Sequence, residues 1–210
     1  MSESSPPPRI AAIVLAAGLS RRMGTPKALL PLGDKPLLAR VIETIVSADA
    51  GIDPIVVVTG HEAEKVREIL GAWKVHPVHN LAYATGGMLS SVQSGVAAVR
   101  DTCDAFFIVL GDQPLVRPQT FAALADAWKA ARPAVLLPTF DGEHGHPIVL
   151  SADGADGILA LRREEDTLKS YTSTQSERTL ELAIDDPAVL SDIDTPADYQ
   201  AAVERWNRAS

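Results

Sequence analysis

Cysteine is almost absent from this 210-residue chain, aromatic residues make up only 5% of it, and long apolar runs are missing. The single cysteine, Cys103, excludes an internal disulfide and favours a reducing compartment such as the cytoplasm. A membrane-spanning helix needs about 20 consecutive apolar residues, so none is expected here. Positive charge is also scarce: the net charge is −8, whereas broad nucleic-acid binding requires a basic face. These shortages predict a cytoplasmic protein that binds neither membranes nor nucleic acids.

The chain begins with MSESSPPPR, which has neither the cationic segment nor the apolar segment of a secretory signal. Its serines and prolines predict a disordered tail over residues 1–8. The whole chain is 46% apolar and 22% charged, a globular composition. We therefore expect one domain over residues 9–207, long enough to bury its own core.

Apolar runs alternate with amphipathic stretches, which is the pattern of an α/β protein. The first four apolar runs are continuous, which predicts parallel strands covered on both faces. We expect a single-domain, three-layer, Rossmann-like fold with a mostly parallel central sheet and helices on both faces. The predicted strands are Ile10–Leu15, Ile55–Thr59, Lys74–Val78, Ala105–Leu110, Ala134–Pro138, Pro147–Leu150 and Thr179–Ile184. The predicted helices are Pro36–Ala50, Glu62–Ala72, Leu89–Arg100, Gln119–Ala131, a stretch near Gly157–Arg163, and Pro196–Asn207.

Two shorter segments also allow structural predictions. Phe140–His146, FDGEHGH, is a glycine-containing polar turn between two strand-like runs. It predicts either a late hairpin or a loop that overhangs the sheet. The charged run Arg162–Asp166, RREED, is interpreted as the solvated face of a helix.

A cationic loop with two glycines follows the first predicted strand, within the segment LAAGLSRRMGTPK. Glycine lets the backbone approach a ligand closely, so that its N–H groups can face anionic oxygens. The glycines and cations of this loop are Gly18, Gly24, Arg21, Arg22 and Lys27. The combination predicts a site for a nucleotide or another polyphosphate. The alternative is an ordinary basic surface loop.

The spacing in this loop excludes two common phosphate-binding motifs. A Walker A motif has four residues between its glycines and then Lys-Ser/Thr. Here five residues separate Gly18 from Gly24, and Thr25-Pro26 intervene before Lys27. The dinucleotide fingerprint G-x-G-x-x-G is absent as well.

Two carboxylates are candidate metal ligands, and one of them lies at the carboxyl end of a strand, where ligands of open parallel sheets bind. Asp112, in GDQP, directly follows the apolar run AFFIVL and is well placed to hold Mg²⁺. Alternatively, it caps the helix after Pro114. Asp194 precedes Thr195-Pro196, a typical helix N-cap and first helical residue, so it is free to act as a second metal ligand. Spacing alone does not predict that the two carboxylates meet.

Together these segments resemble the molybdenum-cofactor cytidylyltransferases within the molybdopterin nucleotidyltransferase family. The opening signature LAAGxSxRMGxxKxLLPLxGxPLL appears here as LAAGLSRRMGTPKALLPLGDKPLL, with only the late glycine displaced, at Gly33. GDQP, GHP, DIDTPADY and Asn80 followed by GGMLSSVQSG also resemble family motifs and occur in the family's order. The resemblance covers about residues 9–203. It implies a nucleotidyltransferase with a glycosyltransferase-A-like fold.

The resemblance also implies roles for individual residues. Lys27, Arg22 and Asp112 would be catalytic. Asp112 and Asp194 would hold Mg²⁺, and His146 with Gln113 would face the second substrate. The implied nucleotide-binding residues are Leu15, Ala16, Ala17, Gly18, Arg22, Lys27, Thr59, Asn80, Gly86, Gly87 and Ser91.

The implied reaction transfers CMP from CTP onto the phosphate of molybdopterin or the molybdenum cofactor and releases pyrophosphate. Use of GTP, or transfer to a sugar phosphate or another phosphorylated metabolite, stays open. A phosphate monoester is already largely dianionic at neutral pH, so no general base is needed. The implied partners are the nucleoside triphosphate, the pterin acceptor and, transiently, a molybdoenzyme or its chaperone. A noncatalytic nucleotide-binding module would lack a metal carboxylate, and a kinase-like enzyme would need a base.

Overall fold

The computed structural model describes residues 6–209, with the side chain of Ala209 excepted. Most of the predicted tail, residues 1–5, lies outside the described residues, and residues 6–8 form no helix or strand. Within residues 6–209, no helix combines the length and hydropathy needed to cross a bilayer.

A central sheet of eight strands and a small two-stranded sheet form the β-structure. The ten strands are β1 Ile10–Ala16, β2 Pro31–Leu32, β3 Lys35–Pro36, β4 Ile52–Thr59, β5 His76–His79, β6 Ala105–Leu110, β7 Val135–Phe140, β8 Glu143–His144, β9 Ile148–Ser151 and β10 Thr179–Ala183. The central order is β10-β7-β9-β6-β1-β4-β5, with β8 paired to β7. Strands β6, β1, β4 and β5 are mutually parallel, and β9 is antiparallel to both neighbours. The predicted α/β architecture is confirmed.

Helices cover both faces of the central sheet. They are α1 Leu37–Ser47, α2 Ala63–Leu70, α3 Gly87–Val99, α4 Pro118–Ala131, α5 Ala155–Leu159, α6 Leu168–Thr174 and α7 Pro196–Ala209. The alternation of side chains along β1 explains the layers. Ile10 and Val14 join the core beneath α1, α2 and α4, while Ala11 and Ile13 join the core beneath α3, α5 and α6. A strand buried on both faces needs this continuous apolar sequence.

Helix α7 packs against the small β2–β3 sheet through a third, smaller core. Arg40, which is 8% exposed, donates to the carbonyl oxygen of Leu32 and pairs with Asp34 and Glu43. Its guanidinium also lies 4.2 Å from the centre of the Trp206 ring on α7. This arrangement holds the later turns of α7 against the β2–β3 sheet.

Several sequence predictions need correction. The third predicted strand is parallel but forms an exposed edge, β5, rather than a buried strand. The helix predicted near Gly157–Arg163 lies earlier, at α5, and Arg162–Asp166 forms a turn instead of a helix face. Helix α6 was not predicted, because its signal is a capping box between Thr167 and Ser170 rather than an apolar period.

The late hairpin is confirmed by the antiparallel pair β7–β8. Its turn contains Asp141 and Gly142, both with positive φ, at 50° and 83°. Asp tolerates this conformation and Gly favours it, so the sequence matches the turn.

A buried carboxylate connects α4 to the segment that precedes α7. Asp186 is 2% exposed and accepts hydrogen bonds from the Arg117 backbone N–H at 2.8 Å and from the Thr120 hydroxyl at 2.7 Å. Its other oxygen accepts from the backbone N–H of Ala188 at 3.2 Å. The Arg117 and Ala188 N–H groups lie at the start of α4 and of the short 3₁₀ helix Pro187–Leu190. Backbone N–H groups at a helix start lack partners within the helix.

We expect Asp186→Ala to lower the free energy of unfolding by about 2–4 kcal/mol, because buried donors lose their acceptor. Thermal unfolding followed by circular dichroism measures this change, as a fall in Tm of about 5–10 °C. Asp185→Ala is the matched control, since the Asp185 side chain is exposed and only its backbone carbonyl binds Arg117. Equal Tm values for the two variants would show that Asp186 has no such role.

Candidate active site

The largest cavity beside the cationic loop has a volume of about 530 Å³. It lies at the carboxyl ends of β1 and β6, between that loop and the N-terminus of α3. Its lining includes Leu15, Ala17, Gly18, Leu19, Arg21, Arg22, Lys27, Tyr83, Ala84, Thr85, Gly87, Met88, Ser91, Leu110, Asp112, Asp192 and Asp194. Loop cations and strand-end carboxylates therefore share one cavity.

Lys27 forms ion pairs with both Asp112 and Asp194, whose meeting the sequence spacing did not predict. Its ammonium nitrogen Nζ lies 2.7 Å from Asp112 Oδ2 and 2.6 Å from Asp194 Oδ1. The remaining oxygen of Asp194, Oδ2, lies 2.8 Å from Arg22 Nη2. We call these four side chains the charge clasp. The structure thus brings together residues separated by 85 and 167 positions in the chain.

Lys27 and Asp112 are partly shielded from solvent, with side-chain exposures of 16% and 23%, and the pKa values of Lys27 and Asp194 are shifted. Burial alone would lower the pKa of Lys27, but the hydrogen bonds and charges of Asp112 and Asp194 outweigh burial and raise it. The hydrogen bond from Lys27 is the main reason that the pKa of Asp194 falls below its usual range. The Lys27 side chain is therefore positively charged at neutral pH.

Local backbone structure places Lys27 and Asp112. The Lys27 backbone N–H donates to the Ser20 hydroxyl at 3.0 Å, which folds the loop back on itself. Gly24 has a φ of +66°, a conformation that L side chains rarely adopt. A Cβ on Gly111 would lie 2.7 Å from the carbonyl oxygen of Leu15, so glycine lets β6 end directly against β1. Asp112 follows this contact immediately.

A capping box places Asp194 just before α7. The Thr195 hydroxyl accepts from the Asp198 backbone N–H at 3.2 Å, and Asp198 Oδ2 accepts from the Thr195 N–H at 2.7 Å. Asp198 Oδ2 also accepts from the Asp194 N–H at 3.1 Å. The prediction that Thr195 is the N-cap is confirmed, and the Asp194 side chain is left to contact Lys27.

A second cavity, of about 380 Å³, lies on the other side of the cationic loop. It shares Arg21, Arg22, Lys27, Asp112 and Asp194 with the first cavity. Its separate wall includes His61 and Val66 of the region around α2. The loop cations therefore face both cavities.

The resemblance assigned Thr59, Asn80 and Ser91 to the nucleotide, but each has a hydrogen-bond partner within the protein. Thr59 is fully buried, and its hydroxyl donates to the Val78 carbonyl at 3.4 Å. Asn80, 2% exposed, donates to the hydroxyls of Ser90 and Ser91 at 2.8 and 3.0 Å. Neither Thr59 nor Asn80 lines the two cavities. Asn80 instead orients Ser91, which does line the larger cavity.

Gln113 and His146 lie behind the cavity rather than on its surface. Gln113, 5% exposed, donates to Asp192 Oδ1 at 2.6 Å and to the Val189 carbonyl at 3.2 Å. Within residues 6–209, no group forms a hydrogen bond with the buried His146 Nδ1 atom. Burial lowers the pKa of His146, partly offset by the charges of Asp192 and Asp112. His146 is thus neutral at neutral pH.

Sequence reasoning missed Asp192 as a site residue. This carboxylate lines the larger cavity, and it lies close to the N-terminus of α7, where acidic residues commonly stabilise a helix. Desolvation and the charge of Asp112 raise the pKa of Asp192. Alternate residues of an extended segment lie on the same side of the chain. The position of Asp192 two residues before Asp194 could therefore have indicated that both carboxylates face one cavity.

The donor set fits a divalent cation. Two carboxylates already share one cation, Lys27 Nζ, so they can reach a common ion. Among the described residues, no group of three or more His, Cys, Asp or Glu side chains forms a metal site. Mg²⁺ is commonly held by one or two carboxylates plus substrate phosphates, so Asp112 and Asp194 suffice for that mode.

Two curated relatives match the chain at moderate identity. The molybdenum cofactor cytidylyltransferase of Escherichia coli strain K12 is 29% identical over 195 residues, covering 92% of this chain and 95% of that protein. The bifunctional protein GlmU of Ralstonia nicotianae is 36% identical over 172 residues. That match covers 80% of this chain but only 36% of GlmU, about a third of that protein's length.

A solved structure matches nearly the whole fold. Rv0371c of Mycobacterium tuberculosis H37Rv, in complex with manganese, has a TM-score of 0.74 and 27% identity. The match covers 95% of this chain and all of that chain. The family described as the MobA-like NTP transferase domain matches residues 12–179, which is most of the chain. With its nucleotidyltransferase fold and its cationic loop, the chain belongs to this MobA-like NTP transferase family.

Proposed function

We propose that this nucleotidyltransferase transfers CMP from CTP to the phosphate of molybdopterin or the molybdenum cofactor and releases pyrophosphate. The observation that carries the proposal is the charge clasp at the edge of a 530 Å³ cavity. Cations for phosphates and carboxylates for a metal meet there. Similarity to a molybdenum cofactor cytidylyltransferase over 92% of the chain supports the choice of acceptor.

The cations of the loop bind the triphosphate and stabilise charge during transfer. An acceptor phosphate oxygen attacks the α-phosphorus of CTP, and the bond from that phosphorus to the bridging oxygen of pyrophosphate breaks. The attacking phosphate is already largely dianionic, so no proton needs to be removed. Repulsion between anions and charge on the α-phosphoryl oxygens form most of the barrier, which Lys27 and Arg22 lower.

Asp112 and Asp194 would hold the divalent cation, Mg²⁺ or Mn²⁺. When bound, such an ion neutralises charge on phosphate oxygens and orients them. Asp192 adds a third carboxylate to the same wall of the cavity, held by Gln113. Gln113 therefore orients Asp192, and His146 is buried near the same carboxylate.

The cavity wall at the N-terminus of α3 supports a pyrimidine base. Ser91 is only 6% exposed, but it lines the cavity beside Gly87 and Met88. A base that reaches Ser91 would pass the backbone of Leu15 and Gly18, which lines the same cavity. The Ser91 hydroxyl offers a hydrogen-bonding group to the polar edge of cytosine at this wall.

We expect CTP to bind more tightly than GTP, by about tenfold, equivalent to about 1.4 kcal/mol. Isothermal titration calorimetry with each nucleotide and Mg²⁺ measures the difference. Met88→Ala tests the base pocket, because its side chain is 60% exposed and can be truncated without disturbing the core. Tighter binding of GTP would replace the cytidylyl assignment with guanylyl transfer.

Pyrophosphate release from CTP in the presence of molybdopterin tests the full reaction. The control reactions contain GTP in place of CTP, or a hexose 1-phosphate in place of the pterin. Release only with the sugar phosphate would favour the alternative acceptor class. Release of a nucleoside diphosphate instead of pyrophosphate would contradict nucleotidyl transfer.

A further inference from the structure

A small cavity lies at the end of the central sheet opposite the charge clasp. Its volume is about 240 Å³, below the roughly 300–1,000 Å³ of pockets that hold drug-sized ligands. Ser151, the last residue of β9, lines this cavity and pairs with Ala105 at the start of β6. Strand β6 rises about 3.3 Å per residue, so Ala105 lies about 17 Å from Leu110 at the other end. The cavity also shares no lining residue with the two cavities beside the cationic loop.

Two nearly buried hydroxyl groups line this cavity without a partner in the protein. Ser151 is 7% exposed, and Tyr171, on α6, is 8% exposed. Within residues 6–209, neither side-chain hydroxyl forms a hydrogen bond. Polar groups removed from bulk water normally have a hydrogen-bond partner, because leaving them unpaired costs free energy. The two hydroxyls therefore offer donors to a molecule that enters the cavity.

Two glycines make room for the Tyr171 side chain. A Cβ on Gly154 would overlap the Tyr171 hydroxyl oxygen, and a Cβ on Gly157 would lie 3.2 Å from its ring atom Cε2. Both glycines line the same cavity. A phenylalanine ring would pack against the core equally well, so packing does not explain the hydroxyl.

Charges of opposite sign flank the Tyr171 hydroxyl. Arg178 and Asp153 are exposed residues that line the cavity, and neither forms an ion pair in the part of the chain that the structure describes. Desolvation raises the pKa of Tyr171, the charge of Arg178 opposes this rise, and the charge of Asp153 adds to it. Both charges therefore act on the hydroxyl, which stays protonated at neutral pH and can donate.

We propose that this cavity binds a phosphate group that supplies a hydrogen-bond donor of its own. Arg178 and the hydroxyls of Ser151 and Tyr171 donate to the phosphate oxygens. Asp153 accepts from the P–OH of hydrogen phosphate or from a hydroxyl next to a phosphate ester. The ester needs that extra hydroxyl, because a phosphate monoester is already largely dianionic at neutral pH.

The carboxylate of Asp153 gives the site its selectivity. Inorganic hydrogen phosphate has a proton to donate at neutral pH, whereas sulfate has none. A bare dianion would meet only the repulsion of the carboxylate. The site should therefore prefer phosphate to sulfate, although both anions suit Arg178 equally.

Site-resolved NMR tests the proposal, because phosphate is expected to bind the cationic loop as well. The isotope-labelled full chain is titrated with inorganic phosphate or sulfate at constant ionic strength, and the backbone amide signals of Ala152, Gly154 and Thr172 are followed. We expect saturable shifts with phosphate, and binding of sulfate at least about tenfold weaker. Unshifted amides, or equal binding of the two anions, would overturn the proposal.

A parallel titration with glycerol 3-phosphate distinguishes the two sources of the phosphate group. Tighter binding of inorganic phosphate would assign the site to the free ion. Tighter binding of glycerol 3-phosphate would assign it to a phosphorylated metabolite that brings a hydroxyl.

Tyr171→Phe and Ser151→Ala each remove one hydroxyl and little else. Each should weaken phosphate binding at these amides about tenfold. Their Tm should not fall, because no hydrogen bond within the protein is lost. Tyr199→Phe is the matched control, since its hydroxyl donates to the Pro31 carbonyl at 2.6 Å, away from this cavity. Unchanged phosphate affinity in Tyr171→Phe, or a lowered Tm that reveals an internal partner, would refute the assigned role.

Asp153→Asn tests the selectivity. An amide can donate to a bare anion, so sulfate should bind more tightly than to the wild type, and the preference for phosphate should fall to about threefold or less. Asp156→Asn is the matched control, because this exposed aspartate pairs with Arg100 and does not line the cavity. A tenfold preference that persists in Asp153→Asn would contradict the role of the carboxylate.

Discussion

Lys27→Ala is expected to lower kcat/KM by about 10²–10³, equivalent to about 3–4 kcal/mol of transition-state stabilisation. The ammonium of Lys27 is the most enclosed cation of the charge clasp, with a side-chain exposure of 16% against 68% for Arg22. In this setting it loses less of its electrostatic effect to water. Steady-state measurement of pyrophosphate release gives the change.

The fall should affect turnover more than nucleotide binding, because charge on the α-phosphoryl oxygens grows as the transition state forms. Lys27→Arg should recover only part of the activity, since a planar guanidinium does not replace a compact ammonium. Lys35→Ala is the matched control and should turn over normally. Near-normal kcat/KM for Lys27→Ala, with an unchanged circular dichroism spectrum, would refute the catalytic role.

The alternation of apolar and amphipathic segments was sufficient to predict the layers of this fold. Continuous apolar runs identified β1, β4 and β6 because a parallel strand is buried on both faces. The same reasoning failed at β5, which is an exposed edge strand rather than a buried one. Edge position and strand direction depend on which strands pair, and local composition does not specify that pairing.

The short elements were harder to predict for a related reason. Helix α6 has only seven residues, so its apolar period is too short to be recognised. Its capping box is the more informative signal. The predicted helix near Gly157–Arg163 extended too far because charged residues suit both a turn and an exposed helix face.

The candidate site illustrates what sequence spacing can and cannot establish. Lys27 was identified from its place in the cationic loop, Asp112 from a strand end, and Asp194 from its place before a helix N-cap. Their meeting depends on the β1–β6 pairing and on the seating of α7, which brings chain positions 27 and 194 together. Thr59 and Asn80 occupied equally suitable strand ends, yet their polar groups bind neighbouring residues. A strand end is thus a place where a ligand can bind, and the partners of each side chain decide whether it does.

Asp112→Asn is expected to lower kcat/KM by about 10²–10³ and to raise the metal concentration needed for half-maximal activity. The substitution keeps the shape of the side chain but removes the negative charge that attracts a divalent ion. It also removes one of the two carboxylates that hold Lys27, so the lysine keeps only Asp194. Titration of activity with Mg²⁺ and Mn²⁺ separates these effects.

If Asp112 served only to orient Lys27, the variant would lose activity without any shift in its metal dependence. A role in metal binding requires that the shift appear and that high metal concentrations restore part of kcat. Asp126→Asn is the control, because this exposed aspartate on α4 lies outside both cavities. An unchanged metal titration for Asp112→Asn would remove the carboxylate from the proposed metal site. Among the described residues that line the larger cavity, Asp192 would then be the carboxylate available to bind the metal together with Asp194.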